Sequence, residues 1–131
     1  MRSVLIAATL AACTGSSNYW IAYTPATGQT ATPKDQAVQR AVVALTDAKR
    51  EIESSDAATG IVMSKWFSGD GFATDVNRFR IRVTFTDGAY TVEALCDAKK
   101  PGGAWGEDCA DDKRPRFVVE TVAKIDAELR K

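Results

Sequence analysis

The segment Phe79–Thr86 alternates strictly between apolar and polar side chains. A period of two is typical of a β-strand with one buried face. Asp87-Gly88 follows, a dipeptide typical of a two-residue hairpin turn of type I′. Because such a turn fixes the register of the partner strand, cross-strand neighbours can be predicted. The predicted pairs are Phe79 with Cys96, Ile81 with Ala94, Val83 with Val92, Phe85 with Tyr90 and, on the opposite face, Arg82 with Glu93.

Two other segments show the helical period. The first helix is predicted to begin with Thr32 as N-cap and Pro33 in the first helical position, and to end at Ser54-Ser55-Asp56. Pro115 is predicted to open the last helix. The predicted apolar stripes are Val38, Ala41, Val42, Leu45, Ala48 and Ile52 in the first helix, and Val118, Val122, Ile125 and Leu129 in the last.

The remaining segments complete an order of helix, three strands, helix. Gly60–Phe67 is the other strand candidate, and Thr24–Pro33 has the composition of a linker. Tyr19–Tyr23 is a short aromatic cluster, expected as a strand or as a flap laid on the domain. This order predicts an α+β domain over residues 34–131. It consists of a three-stranded antiparallel sheet with two helices packed on one face and a polar, open opposite face.

The first residues of the chain have a different composition. Ser3–Ala11 is an apolar run after a single arginine, too short to span a bilayer but suited to the core of a signal peptide. Leu10-Ala11-Ala12-Cys13 closes the run and resembles the lipobox of bacterial lipoproteins. The alternative is an N-terminal helix or strand packed on the domain, with Cys13 merely buried.

The resemblance to lipoproteins carries several expectations. Residues 1–12 would be a signal peptide, Cys13 would carry lipid, and residues 13–33 would be the lipidated N-terminus and linker. The protein would be exported and anchored to a bacterial membrane, facing the periplasm. Thr14 stands where the family's inner-membrane retention signal has Asp, which favours the outer membrane. The mature chain also loosely resembles small lipoproteins of helix–three strands–helix layout.

Lipidation of Cys13 would leave Cys96 and Cys109 as a pair in an oxidising compartment. The connector Asp97–Asp108 is polar and contains Gly and Pro, so it can double back. A bridge closing a loop of this size stabilises by about 3 kcal/mol in the chain-entropy model. The alternatives are two unpaired buried thiols, or metal ligation, which neither a CxxC spacing nor a histidine supports.

Composition argues against several functions. Lys+Arg and Asp+Glu both number 17, so the basic excess typical of nucleic-acid binding is missing. The 131 residues include no histidine, which removes the side chain best suited to acid–base chemistry near neutrality. We therefore predict a non-enzymatic protein without a cofactor. An enzyme using two opposed carboxylates is the alternative, although no such pair can be placed from the sequence.

Three side chains are candidate partner contacts. Arg80 and Arg82 follow Arg78 along one strand and face outward, where they could meet an anionic glycan or acidic partner. Trp105 lies among glycines in the predicted bridged loop, and tryptophan is enriched in binding hot spots. The simpler interpretations are a solvated sheet face that discourages aggregation and a tryptophan folded over the disulfide or the helix ends.

An acidic cluster surrounds Cys109. Calcium favours several carboxylate oxygens, but this spacing lacks the alternating ligands of a calcium loop, so solvated loop charge is the preferred interpretation. The cluster consists of Glu107, Asp108, Asp111 and Asp112.

The leading hypothesis is a lipid-anchored periplasmic protein with a binding or structural role towards an envelope protein or glycan. The alternative is a lipoprotein that inhibits a hydrolase through the bridged loop.

Overall fold

The structure is a computed structural model that describes residues 20–68, 77–107, 109 and 115–131. Within these ranges the chain forms six strands and two helices. They are β1 (Trp20–Gln29), α1 (Lys34–Asp47), β2 (Ile52–Asp56), β3 (Ile61–Ser64), β4 (Asn77–Thr86), β5 (Ala89–Lys99), β6 (Trp105–Glu107) and α2 (Arg116–Leu129).

The predicted hairpin is confirmed as β4 and β5. All the predicted cross-strand pairs occur, including Phe79 opposite Cys96 and Arg82 opposite Glu93. Asp87 and Gly88 both have positive φ, 47° and 81°, as a type I′ turn requires. The alternation of the sequence therefore assigns each side chain of the hairpin to one of two sheet faces.

The predicted three-stranded sheet of order α-β-β-β-α is wrong, although the α+β class and the two helices agree. All six strands form one antiparallel sheet in the order β1-β5-β4-β3-β2, with β6 also pairing with β5. Most of Thr24–Pro33, expected as a linker, belongs to β1. The pairing register with β5 shifts between Ala22 and Thr27. The proline within β1, which contributed to the linker prediction, is compatible with a strand because edge strands with such irregularities tolerate proline.

The first helix also ends earlier than predicted. Its last residue is Asp47, and Lys49 adopts a left-handed conformation with φ 65° that turns the chain. Ile52–Asp56 then pairs with β3 instead of continuing the helix. Ile52 happens to lie four residues after Ala48, so its spacing suggested one more helical turn. At the other end the N-cap is Pro33, one residue later than predicted.

The core lies between the two helices and one face of the sheet. From the sheet it contains the apolar residues of β4 and β5 that alternate inward, such as Ile81 and Val92. Ala41 and Leu45 join it from α1. The predicted stripe of α2 is confirmed as buried, with Val118, Val122, Ile125 and Leu129 all at most 3% exposed.

One buried polar contact fastens α2 to the sheet. The Tyr90 hydroxyl donates a hydrogen bond of 2.6 Å to Oδ1 of Asp126, and Nε of Arg130 donates to Oδ2 at 2.9 Å. Arg130 also donates to the Thr27 carbonyl at 3.0 Å, which ties the same cluster to β1. Gly28 lies opposite Tyr90, and a Cβ there would come within 2.6 Å of the Tyr90 oxygen. Glycine is therefore required at this position for β1 to pass the ring.

A second contact closes the helical layer. One terminal nitrogen of Arg40 in α1 donates to the carbonyls of Glu128 and Lys131 at 2.7 and 2.9 Å. Carbonyls at a helix C-terminus lack partners within the helix. Arg40 thus donates hydrogen bonds to carbonyl groups at the end of α2 and holds the two helices side by side.

The Tyr90 contact predicts a specific pH dependence of stability. Burial, and then the Asp126 carboxylate, raise the pKa of Tyr90 to about 12. An unfolded tyrosine titrates near pH 10, so the contribution is complete below pH 10 and is lost as the pH rises from about 10 to about 12. The stability advantage of the unmodified protein over Tyr90→Phe should therefore shrink by about 1 kcal/mol between pH 8.5 and pH 11.

Urea unfolding of both proteins at the two pH values measures this difference. Tyr19 and Tyr23 are present in both, so their ionisation cancels. Parallel pH profiles would contradict the assignment.

Candidate binding face

The face of the sheet opposite the helices carries all three tryptophans of the chain. Arg78, Arg80 and Arg82 are outward residues of β4, since the residues between them are in the core. Each tryptophan has at least one of these guanidinium groups over its ring. We call this surface the Trp–Arg face and define it by Trp20, Trp66, Trp105, Arg78, Arg80 and Arg82.

Arg78 lies over two rings. Its guanidinium carbon is 4.1 Å from the ring centre of Trp66 and 4.4 Å from that of Trp105. Arg80 approaches Trp66 at 4.8 Å, and Nζ of Lys99 approaches Trp105 at 5.3 Å. Five side chains thus form a continuous chain of cation–π contacts, each attractive because the ring face is the negative end of its quadrupole.

Arg82 forms a second unit on the same face. Its guanidinium carbon lies 4.2 Å from the Trp20 ring centre. Nε and a terminal nitrogen donate to Oε1 of Glu93 at 3.1 and 2.7 Å. The arginine is 27% exposed and the carboxylate 20%, so the pair is partly desolvated and held in one orientation.

Asp97 holds the other end of the face together. Nε and a terminal nitrogen of Arg78 donate to its Oδ2 at 3.0 and 2.8 Å, and the Gly106 amide donates to its Oδ1 at 2.9 Å. Its side chain is 5% exposed, whereas that of Arg78 is 25% exposed. The carboxylate therefore fixes both Arg78 and the short strand β6 that carries Trp105.

A side-chain hydrogen bond positions Trp66 after the end of β3. Ser64 is fully buried, and its hydroxyl accepts from the Ile81 amide at 2.9 Å and donates to the Lys65 carbonyl. Phe67 then forms a bridge to Phe79, and the two rings pack on the core side of the sheet. Trp66, next to Phe67, is directed to the opposite side, where it meets Arg78 and Arg80.

The disulfide Cys96–Cys109 lies behind this face. Cys96 is a buried inward residue of β5, and the two Cα atoms are 6.0 Å apart. The turn at Lys100–Ala104 reverses the chain through hydrogen bonds from the Lys100 amide to Ala104 and from the Gly103 amide to Lys100. The bridge closes the loop that contains β6 and so limits the positions open to Trp105.

Among the described side chains, the face has more basic than acidic groups, although the whole chain is formally neutral. Arg78 and Arg82 have carboxylate partners. Arg80 has no carboxylate partner among the described residues, and its one hydrogen bond, to the Ser64 carbonyl, is long at 3.4 Å. Lys99 is exposed at the margin. Among the described residues, an anionic group would therefore find two cations without a carboxylate partner, Arg80 on the face and Lys99 at its margin.

The structure brings the three predicted contact residues to one face. Arg80 and Arg82 are outward and half-buried, packed on tryptophans instead of fully solvated. Trp105 lies in β6, not on a free loop, and its ring contacts Arg78 and Lys99.

Three members of the face were missed from the sequence. The sequence pattern places Trp20 in an aromatic segment expected as a strand or a flap and Trp66 in a strand candidate, and it predicts only Arg80 and Arg82 as outward. Arg78, Arg80 and Arg82 are alternate residues of one strand, so the alternation of the sequence is a signal that Arg78 lies on the same face as the other two. No comparable signal existed for the tryptophans, because their positions depend on β1 pairing with β5 and on the turn after β3.

Several sequence predictions lie outside the described residues. They include the signal peptide of residues 1–12, the lipobox Leu10–Cys13 with its lipidated cysteine, and three acidic residues, Asp108, Asp111 and Asp112. Within the described ranges, no cluster of three or more potential ligands is arranged to hold a metal ion. In the same ranges, neither helix has the length and apolarity needed to span a bilayer.

No protein-family model matches the chain, and a search of curated proteins finds no match.

The geometry around Asp97 predicts an unequal pair of substitutions. Asp97→Asn removes a nearly buried charge and leaves Arg78 without its carboxylate, so it should destabilise by about 2 kcal/mol. Glu93→Gln, in the more exposed pair, should cost about 1 kcal/mol or less. Asp97→Asn should also weaken the near-ultraviolet circular dichroism of tryptophan, because Arg78, which lies over the Trp66 and Trp105 rings, loses the carboxylate that orients it.

Urea unfolding and near-ultraviolet spectra of the two variants measure these effects. Equal destabilisation, with unchanged tryptophan signals in both, would show that Asp97 does not organise the face.

Proposed function

We propose that this protein is a non-enzymatic, lipid-anchored protein of the bacterial envelope that binds a partner through the Trp–Arg face. The observation that supports binding is that all three tryptophans lie on the open side of the sheet, none in the core. Tryptophan is among the most strongly apolar side chains and dominates the energetics of cores and interfaces alike. Its concentration on a face that no described element covers favours recognition.

The organisation of the face supports the same proposal. The carboxylates of Asp97 and Glu93 hold two arginines in fixed orientations against the rings. A surface whose long side chains are already ordered loses less conformational entropy when a partner binds. Arginine and tryptophan are also the residues most enriched in binding hot spots.

The anchor rests on the sequence. Leu10-Ala11-Ala12-Cys13 resembles a lipobox, and lipidation of Cys13 leaves an even number of cysteines for the observed Cys96–Cys109 bridge. A domain that carries a disulfide fits an exported protein, since such bonds persist mainly in oxidising compartments. We place the protein facing the periplasm, with the outer membrane favoured over the inner.

The hydrolase-inhibitor alternative receives less support. It needs an anchor residue that projects from the bridged loop into another protein's cleft. The Trp105 ring instead lies under the guanidinium group of Arg78 at the sheet, and the exposed turn Lys100–Ala104 is short and carries no large apolar side chain. We therefore rank inhibition below binding through the Trp–Arg face.

The anchor predicts a defined mass. The protein extracted from bacterial membranes should begin at Cys13 and carry two or three acyl chains, because a single chain anchors only marginally. Intact mass spectrometry measures this directly, and Cys13→Ser should abolish the modification and membrane retention. An unmodified chain that begins at Met1 would overturn the anchor without bearing on the face.

The binding face predicts position-specific crosslinks. A photo-crosslinking amino acid at Lys99, exposed beside Trp105, should give adducts of higher mass in intact envelopes. The same residue at Lys124, exposed on the outer side of α2, should not. Arg80→Glu should abolish the adducts from position 99. Similar yields from both positions, or none from either, would contradict binding through this face.

A further inference from the structure

We propose that the ligand of the Trp–Arg face is an acidic polysaccharide, one whose sugar units carry carboxylate groups. This inference rests on the proposed function, since it names the partner of the same face. It is argued from the charge, the shape and the chemistry of the side chains there.

Charge favours an anionic ligand. Among the described residues that form these contacts, basic side chains outnumber carboxylates by four to two. The basic residues are Arg78, Arg80, Arg82 and Lys99, and the carboxylates are those of Glu93 and Asp97. Both carboxylates already accept hydrogen bonds from arginines. A cationic ligand would therefore find both carboxylates already engaged by arginines. A ligand carboxylate, by contrast, can bind Arg80 without breaking an existing ion pair.

Shape favours an extended chain. Alternate residues on one strand lie about 7 Å apart, so the row from Arg78 to Arg82 is about 13 Å long. The tryptophans border this row, with Trp20 beside Arg82 and Trp66 beside Arg78 and Arg80. The surface is the face of a sheet, not an enclosed pocket, and it suits a linear polymer that lies along the strands better than a single small molecule.

The mixture of side chains favours sugars. Indole rings pack against the apolar C–H faces of pyranose rings, and guanidinium groups form paired hydrogen bonds with carboxylates. An acidic peptide would use the arginines but gives the three rings no matching flat surface. Single-stranded nucleic acid also combines stacking with backbone charge, but the neutral net charge of the chain and the proposed export argue against it.

A binding experiment can use the tryptophans themselves as probes. Because all three lie on the proposed site, intrinsic fluorescence of the full chain in detergent reports this face without background from elsewhere. The probe is hexagalacturonate, and its fully methyl-esterified form is the matched neutral ligand. We expect saturable fluorescence change with hexagalacturonate, at least ten-fold weaker binding of the ester, and affinity that falls as salt is raised.

Two variants with the same change in charge locate the site. Arg80→Gln should weaken hexagalacturonate binding roughly ten-fold, as expected for loss of a charged hydrogen bond. Arg116→Gln, on the exposed surface of α2 with a side chain 90% exposed, should leave the affinity unchanged. Both substitutions affect largely or partly exposed arginines outside the core, and an unchanged near-ultraviolet spectrum confirms that each variant folds.

Other ligands decide between the proposal and its competitors. Tighter binding of a glutamate oligopeptide, single-stranded DNA or anionic vesicles would overturn the polysaccharide assignment, as would equal affinity for hexagalacturonate and its ester. Equal weakening by Arg80→Gln and Arg116→Gln would overturn the site. If hexagalacturonate fails while the Lys99 crosslinks persist, the acidic polysaccharide is wrong and the binding face itself stands.

Discussion

The register of the β4–β5 hairpin is the constraint on which both sides of this protein depend. The Asp87-Gly88 turn places Phe85 opposite Tyr90, and this pair fixes the partner of every other residue of the hairpin. A shift of one residue would exchange the two faces, moving arginines into the core and phenylalanines into water. The same register brings Arg82 beside Glu93 and Arg78 beside Asp97, so the core and the open face are specified by a single turn.

On the open face, cations and rings stabilise each other's position. A guanidinium group that is only a quarter exposed must recover the hydration it loses. Arg78 does so through Asp97 and two indole rings, and Arg82 through Glu93 and one. The tryptophans in turn cover apolar surface without entering the core. The resulting face is ordered before any ligand arrives, which is the physical basis of the binding role proposed for it.

On the core side, buried polar contacts determine how the helices and the edge strand fit the sheet. Tyr90 and Asp126 fasten α2 to β5, and Gly28 allows β1 to pass close to the same ring. Arg40 joins α1 to the last carbonyls of α2. Hydrophobic burial supplies the driving force but no direction, whereas these contacts select one arrangement of the layers.

The sequence alone determined the elements whose signals are local. Strict alternation and a two-residue turn were enough for the hairpin, its register and the Arg82–Glu93 pair. Apolar spacing after Pro115 was enough for α2, and the cysteine count led to the Cys96–Cys109 bridge. Only the tertiary structure showed that residues 24–29 are strand, that α1 stops at Asp47 before the left-handed Lys49, and that Trp20, Trp66 and Trp105 share a face with Arg78. The strand β1 depends on pairing with β5, a segment far along the chain, and the residues after α1 leave the helical pattern because they pair with β3. Outside a tight hairpin, the periodicity of one segment does not show which other segment it will pair with.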